Sequence, residues 1–134
     1  MAVIRRNKAR LYKDFDLDFG KNAVTGDLDK LLDVKAVKQA MQNLIMTRPF
    51  ERFFHPELGS NLMNSLFEPM TVFTSASIET QIKQLFFNYE PRVDINAVYC
   101  EPMYDQNEYK VEIRFNIVGI NEPQELQLTL ERLR

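Results

Sequence analysis

The sequence is poor in the residues from which catalytic and metal sites are usually built. Its 134 residues include one histidine, one cysteine and no tryptophan. A single cysteine, Cys100, excludes an internal disulfide and a metal site made of several thiolates. With His55 as the only histidine, a serine- or cysteine-based hydrolase is a poor interpretation. We expect His55 to be structural or on the surface, and Cys100 to be a small core residue of a strand.

Other absences narrow the class of partner. The four glycines are scattered and form no phosphate-binding loop. The net charge of −2 lacks the excess of Lys and Arg that nucleic acids or anionic membranes require. No stretch approaches the ~20 apolar residues of a membrane span. The start, Met1 to Arg6, is followed by charged residues instead of an apolar run, which predicts no signal peptide, and the lone cysteine suits a reducing compartment. We therefore expect assembly in the cytoplasm, without cofactor or metal.

The first 30 residues differ in charge from the rest. A run of basic residues without an intervening acid is followed by three aspartates: Arg5, Arg6, Lys8, Arg10 and Lys13, then Asp14, Asp16 and Asp18. This pattern fits either a solvated arm or a surface for an anionic partner. Gly20 and Gly26 flank a predicted loop over Lys21 to Thr25. We divide the chain into an extended basic arm and loop, 1–30, and one domain, 31–134.

Helical periodicity dominates residues 33–89. The spacing predicts a helix from a cap at Asp33 to about Thr47 and a short helix from Ser60 to Phe67. A long helix capped by Thr74 or Ser75 carries one apolar stripe: Ile78, Ile82, Leu85, Phe86 and Tyr89. The aromatic segment from Phe50 to Gly59 contains Pro56 and is predicted to be an ordered, packed loop.

The period changes to two over residues 93–134, which predicts strands. Tyr109 to Ile117 alternate apolar and polar side chains, as in a strand with one wet face. A less regular strand from Val93 to Cys100, with a bulge near Ala97, precedes it across a turn at Asp105 to Glu108. After residues 119–123, a third strand alternates through Leu126, Gln127, Leu128, Thr129 and Leu130. The fold class is therefore α+β, with N-terminal helices packed on a C-terminal antiparallel β-meander.

Paired carboxylates are the one remaining route to hydrolysis. A glycosidase needs two acids roughly 5–10 Å apart in contrasting environments. A chain with 19 acidic residues always offers such pairs, and nothing in the sequence singles one out. We expect no enzyme activity.

From about Val37 to Leu130 the chain resembles a known family. The resemblance is carried by Arg48-Pro49-Phe50 with His55-Pro56-Glu57-Leu58-Gly59, by Leu66-Phe67-Glu68-Pro69-Met70-Thr71, by Asn88-Tyr89-Glu90-Pro91-Arg92-Val93-Asp94 and by Val111-Glu112-Ile113-Arg114-Phe115. These segments resemble the baseplate wedge, or sheath-initiator, family of T-even-type contractile-tailed phages, which also includes a baseplate component of type VI secretion systems. The first 30 residues carry little of the resemblance. Because the family has sometimes been labelled lysozyme-like, a peptidoglycan-degrading tail enzyme is the alternative function.

The resemblance implies a structural protein of the virion tail baseplate, assembled in the host cytoplasm. Its sheet would look like the strand-exchanging domain of the tail sheath and would template sheath polymerisation. Its implied partners are other wedge proteins and the sheath, with the tail tube or hub as a further one. Glu90, Pro91 and Arg92 would dock on the helical core bundle of the wedge.

Both implied surfaces also have simpler interpretations. Proline commonly follows the end of a helix, as Pro91 does here, and a neighbouring acid and base are usually solvated. The strand Leu126 to Leu130 is the natural open edge, and Val3 to Arg6 could supply a second exchanged strand. Alternatively, charged residues at the C-terminus could guard that edge against pairing: Glu131, Arg132 and Arg134.

Overall fold

The computed structural model describes residues 12–28 and 30–132, and the fold is α+β as predicted. The strands and helices, in chain order, are β1 (Lys13–Phe15), β2 (Lys30–Leu32), α1 (Val34–Met46), α2 (Leu62–Ser65), α3 (Val72–Tyr89), β3 (Val93–Met103), β4 (Glu108–Ile117) and β5 (Ile120–Glu131). In the described part of the chain, no helix is both long and apolar enough to span a membrane.

The C-terminal meander forms one antiparallel sheet in the order β3-β4-β5. The pairing register shifts between Ile95 and Ala97, which confirms the predicted bulge. Asn107 adopts a positive φ of 58° and closes the turn between β3 and β4. The predicted connection over residues 119–123 is wrong, because β5 already begins at Ile120 after a tight turn in which Gly119 has φ 86°. The third strand is therefore longer than the sequence pattern indicated.

The core lies between α3 and one face of this sheet. The stripe predicted for α3 is buried at Ile78, Ile82, Leu85 and Phe86, with Tyr89 half-buried. It packs with the inward residues of the sheet, which include Val111, Ile113, Phe115, Leu126 and Leu130. Alternate strand residues share one face, so burial follows the period of two. Cys100 is buried among them, as predicted.

The helix caps differ from the predicted ones. Thr71, not Thr74 or Ser75, caps α3, and its hydroxyl accepts a hydrogen bond from the Thr74 N–H at 3.2 Å. Asp33 holds the expected position before α1 but makes no capping hydrogen bond with its side chain. Its Oδ1 accepts from the Tyr12 N–H instead, at 3.2 Å. A long-range contact thus replaces the local cap.

Two regions differ from the prediction. Strands β1 and β2 form an antiparallel ribbon, with Asp14 opposite Leu31, that lies against α1. The loop from Phe50 to Gly59 is held by backbone hydrogen bonds, but the prediction that it is packed is wrong. Phe50, Phe53 and Phe54 are 84%, 99% and 93% exposed.

Candidate partner-binding surfaces

Strand β5 is an open edge of the sheet within the described residues, since it pairs only with β4. The direction of its backbone groups follows from Cys100, whose N–H points away from β4 to the Glu79 carboxylate at 2.9 Å. Its antiparallel partner Val111 therefore directs its N–H and C=O toward β5, where Leu128 is opposite. Orientation alternates along a strand, so Gln127 and Thr129 direct their N–H and C=O outward. Their side chains are also exposed.

The other edge of the sheet, β3, is partly covered. Helix α3 packs along β3. Because Glu79 Oε1 accepts from the Cys100 N–H, one outward donor of β3 is already satisfied inside the chain. The two edges are therefore not equivalent, and β5 offers the more accessible backbone groups. Glu79 could not be found from the sequence, because its partner lies 21 residues away.

Two shallow cavities line the helix side of β5. One, of about 270 Å³, lies between the second half of α1 and the strand, and its apolar lining is Ile45, Met46, Leu128 and Leu130. The next, of about 430 Å³, adds Met63 and Leu66 to the same wall. Met46 is 55% exposed at their junction. An added strand would therefore find an apolar floor on this side, where its alternate side chains would lie.

The ends of the edge are defined differently. The Arg132 N–H donates to the Asn107 carbonyl at 3.1 Å, so pairing with the β3–β4 turn continues past Glu131. The Arg132 guanidinium is also within 3.4 Å of the Asn107 side-chain oxygen. Arg132 is thus engaged with its own turn. The predicted second exchanged strand, Val3 to Arg6, lies outside the described residues, as does Arg134.

The Glu90-Pro91-Arg92 corner joins α3 to β3, and here the acid and base are not simply solvated. Arg92 Nε donates to Glu90 Oε1 at 2.6 Å, and its Nη2 donates to Oε2 at 2.8 Å. The Glu90 side chain is 8% exposed and that of Arg92 is 34% exposed. Hydrogen bonding to Glu90 raises the pKa of Arg92, against the lowering effect of its burial. The interpretation of this acid and base as solvated surface residues is therefore wrong for Glu90.

Tyr12 completes the corner from the other end of the chain. The Arg92 guanidinium lies 5.5 Å from the centroid of the Tyr12 ring. The Tyr12 hydroxyl donates to the Val118 carbonyl at 2.9 Å, and the Val118 N–H donates to the Arg92 carbonyl at 2.9 Å. The Nε and Nη2 atoms of the guanidinium bond Glu90 and the group lies over the Tyr12 ring, while Nη1 makes no hydrogen bond among the described residues. No sequence pattern indicated the role of Tyr12.

The residues considered for catalysis are not arranged for it. His55 is an exposed loop residue with Nδ1 3.4 Å from Glu57 Oε1, and both side chains are more than 60% exposed. Burial raises the pKa of the Cys100 thiol to about 12, so the nucleophilic thiolate is not available near neutral pH. Among the described residues, no cluster of three His, Cys, Asp or Glu side chains could hold a metal ion.

Comparisons with known proteins agree with the arrangement of these elements. The family model described as baseplate wedge protein gp25 matches residues 33–122. The chain is 37% identical to the baseplate wedge protein gp25 of Enterobacteria phage T4, with 84% of each chain covered.

Solved structures share the fold at lower identity. A chain of the anti-feeding prophage baseplate superimposes with a TM-score of 0.70 at 23% identity, covering 83% of this chain and 89% of that one. A Geobacter sulfurreducens protein that carries the provisional name tail lysozyme gives 0.68 at 18% identity, covering 73% and 89%. A chain of the postcontracted pyocin R2 baseplate gives 0.52 at 18% identity, covering 84% and 96%. The family match and the T4 relative establish the conclusion: this chain belongs to the gp25 family of baseplate wedge proteins.

Proposed function

We propose that this chain is a structural subunit of a contractile-tail baseplate that starts the tail sheath by accepting strands at β5. The observation that carries the proposal is that the outward backbone groups are more accessible at the β5 edge of the sheet than at the β3 edge. Gln127 and Thr129 present outward backbone groups, whereas the outward Cys100 N–H of β3 is bound by Glu79. Main-chain hydrogen bonds can join a partner strand here with little demand on its sequence. The partner is the sheath protein, and the subunit resides in the virion after assembly in the host cytoplasm.

The cavities beside β5 also restrict the incoming strand. Alternate side chains of that strand would point toward Met46 and Met63, and the others would point to solvent with Gln127 and Thr129. A strand with alternating apolar and polar residues satisfies both sides. The accepted segment is therefore expected to be amphipathic with a period of two.

A proline substitution tests this edge without removing core residues. Thr129→Pro deletes an outward N–H, and proline is tolerated on the free side of an edge strand. Leu128→Pro is the matched control, because its N–H points to β4 and the substitution breaks the native ladder. We expect Thr129→Pro to fold and enter baseplates that fail to nucleate sheath, as seen by electron microscopy of tails. Sheath of normal length on those particles would refute strand addition at β5.

Truncation after Pro123 is a less discriminating test. It would remove Leu126 and Leu130, which are 5% and 3% exposed and belong to the core. Loss of the fold and loss of sheath could then not be separated. The proline pair avoids this difficulty.

We further propose that the corner at Glu90, Pro91 and Arg92 docks on the helical core bundle of the wedge. Support comes from its rigidity: Glu90 and Tyr12 fix the guanidinium, and Nη1 is left to bind a carbonyl or a carboxylate of a partner. A cavity of about 340 Å³ between α3 and β3 is lined partly by Phe87 and Ile95, which lie three residues before and after the corner in the sequence. It could receive an apolar side chain of the partner.

The chain supplies a matched control for this docking role. Arg114 also bonds an acid two residues before it, Glu112, and also lies 5.5 Å from a tyrosine ring, that of Tyr99. Arg92→Lys retains the charge but loses the planar fork, and we expect it to abolish incorporation into wedges. Arg114→Lys should be incorporated normally. Equal incorporation of the two variants would contradict docking through Arg92.

The proposed function includes no catalytic turnover. The exposed His55 and the protonated, buried Cys100 support this part of the proposal. The alternative, a peptidoglycan hydrolase, is favoured only by the provisional name of the Geobacter structure. Purified, folded protein should fail to clear cell-wall suspensions. Clearing that disappears when a single Glu is replaced by Gln would overturn the structural assignment.

A further inference from the structure

The loop between α1 and α2 exposes three phenyl rings that neither the β5 edge nor the Arg92 corner uses. Phe50, Phe53 and Phe54 are each more than four-fifths exposed. Aromatic side chains bury about 150–250 Å² each when covered, so three of them represent roughly 500 Å². Monomeric proteins rarely expose more than a few hundred Å² of contiguous apolar surface. We call this segment, residues 48–59, the aromatic loop.

The aromatic loop is held in shape although its rings are exposed. The Phe50 N–H donates to the Pro56 carbonyl at 2.8 Å, which closes a seven-residue ring of backbone. The Ser60 N–H donates to the Thr47 carbonyl at 3.2 Å at the base of the loop. On the far side, the Tyr89 hydroxyl donates to the Glu57 carbonyl at 2.7 Å. A loop fixed in this way loses little conformational entropy when a partner covers it.

The charges around the rings are unevenly compensated. Glu51 accepts the Arg48 N–H at 2.8 Å, and Glu57 lies 3.4 Å from His55. The guanidinium groups of Arg48 and Arg52 have no ion pair among the described residues. Glu51 is thus hydrogen-bonded within the loop, whereas the guanidinium groups of Arg48 and Arg52 remain available at its rim. A complementary surface would be apolar at its centre and carboxylate-rich at its edge.

We propose that the aromatic loop is an anchor for a protein partner, a wedge subunit with an apolar pocket rimmed by carboxylates. The inference rests on the proposed wedge role and adds to it, because Tyr89 ties the loop to the residue directly before the Glu90 corner. Loop and corner are then positioned to engage the same assembly. A lipid surface is the less favoured occupant, because the Tyr89 hydrogen bond holds the loop beside the Glu90 corner, which we propose to bind a protein.

The test uses baseplate wedges purified from cells that lack the gene for this chain, with the full-length protein added back. Phe53→Ala/Phe54→Ala should bind at least about thirtyfold more weakly than the unaltered protein, because central aromatic anchors dominate interface energy. Phe73→Ala is the matched control: its ring is 88% exposed, about 24 Å from Tyr89 along α3. It should bind within about threefold of the unaltered protein. Equal binding by the double variant would overturn the proposal.

Folding and charge are checked separately. The double variant should keep its urea midpoint, because rings that are more than 90% exposed contribute little burial. Arg52→Glu should weaken binding to the wedge, whereas Lys110→Glu, on the solvent face of β4, should not. Unaltered binding by Arg52→Glu would refute the carboxylate rim.

The remaining outcomes distinguish this proposal from the others. If the unaltered protein itself fails to bind the wedge, the proposed function fails together with the loop. If the unaltered protein binds and the Phe53→Ala/Phe54→Ala variant binds as tightly, the loop proposal fails and the proposed function stands. In flotation with vesicles of phosphatidylethanolamine and phosphatidylglycerol, the unaltered protein should stay with the soluble fraction. Flotation that is lost in the Phe double variant would assign the loop to membrane binding instead.

Discussion

Replacing Arg92 by alanine should destabilise the folded domain, because it leaves a buried carboxylate without its partner. Glu90 is 6% exposed. Among the described residues, the two hydrogen bonds from side chains to the Glu90 carboxylate both come from Arg92, at 2.6 Å and 2.8 Å. The substitution also removes the contact with the Tyr12 ring. The consequence for folding must therefore be known before any loss of docking is interpreted.

The magnitude follows from the two hydrogen bonds. A hydrogen bond to a charged group contributes about 1.5–3 kcal/mol, and two of them give roughly 3–6 kcal/mol before solvent is considered. A third of the Arg92 side chain is exposed, and water entering the gap would partly solvate Glu90, so we expect a loss of about 2–3 kcal/mol. The double variant Glu90→Ala/Arg92→Ala removes the orphaned charge as well and should lose less than Arg92→Ala alone.

Urea unfolding of the four proteins of this cycle measures the coupling directly. Arg114→Ala serves as the control, because the Arg114 side chain is 56% exposed and Glu112 is less buried than Glu90, and it should leave the midpoint unchanged. A loss below about 0.5 kcal/mol for Arg92→Ala, or a double variant less stable than the single one, would refute the claim that Glu90 depends on Arg92.

Two further predictions concern the core and the base of the aromatic loop. Gly59→Ala should lose at least about 1–3 kcal/mol in urea unfolding, since φ is +133° and a Cβ would lie 2.7 Å from the Arg48 carbonyl carbon. Gly26→Ala should lose less, because φ is +70° and a Cβ there would lie 3.9 Å from the Lys21 side chain. Stability should fall above pH 9, by up to about 1.4 kcal/mol per pH unit, because folded Cys100 keeps its proton to about pH 12 while the unfolded thiol ionises at about 9. Cys100→Ala should abolish the part of this pH dependence of stability that comes from the thiol. In the native protein, Cys100 should resist alkylation by iodoacetamide at pH 8. Rapid native alkylation, or a parallel slope in the variant, would contradict the raised pKa.

The parts of the fold that could be predicted are those in which burial repeats along the chain. The stripe from Ile78 to Phe86 and the alternation from Tyr109 to Ile117 each face one core, so the sequence pattern records the geometry directly. The three-residue strands β1 and β2 are too short to show any period, and their pairing joins Lys13 to Leu32 across the chain. Such a ribbon leaves no local signal.

The candidate sites could be located but not understood from sequence. The resemblance to the family pointed to Arg92 and the edge pattern to Thr129, yet both depend on distant residues. Glu79 covers the competing edge, and Tyr12 positions the guanidinium. The exposed rings of the aromatic loop were expected to be packed, because apolar content normally indicates burial. Whether a ring is covered by its own chain is a tertiary property.

The carboxylate of Glu79 has a consequence for how any larger lattice could grow. One outward donor of the β3 flank is already bound from within, so on our proposal an incoming strand joins more readily at β5. A subunit with two equivalent flanks could be extended in both directions and would produce assemblies without polarity. A subunit in which one flank is less accessible instead favours growth in one direction. On this proposal, the Glu79 side chain on α3 helps to set the direction in which strands are added.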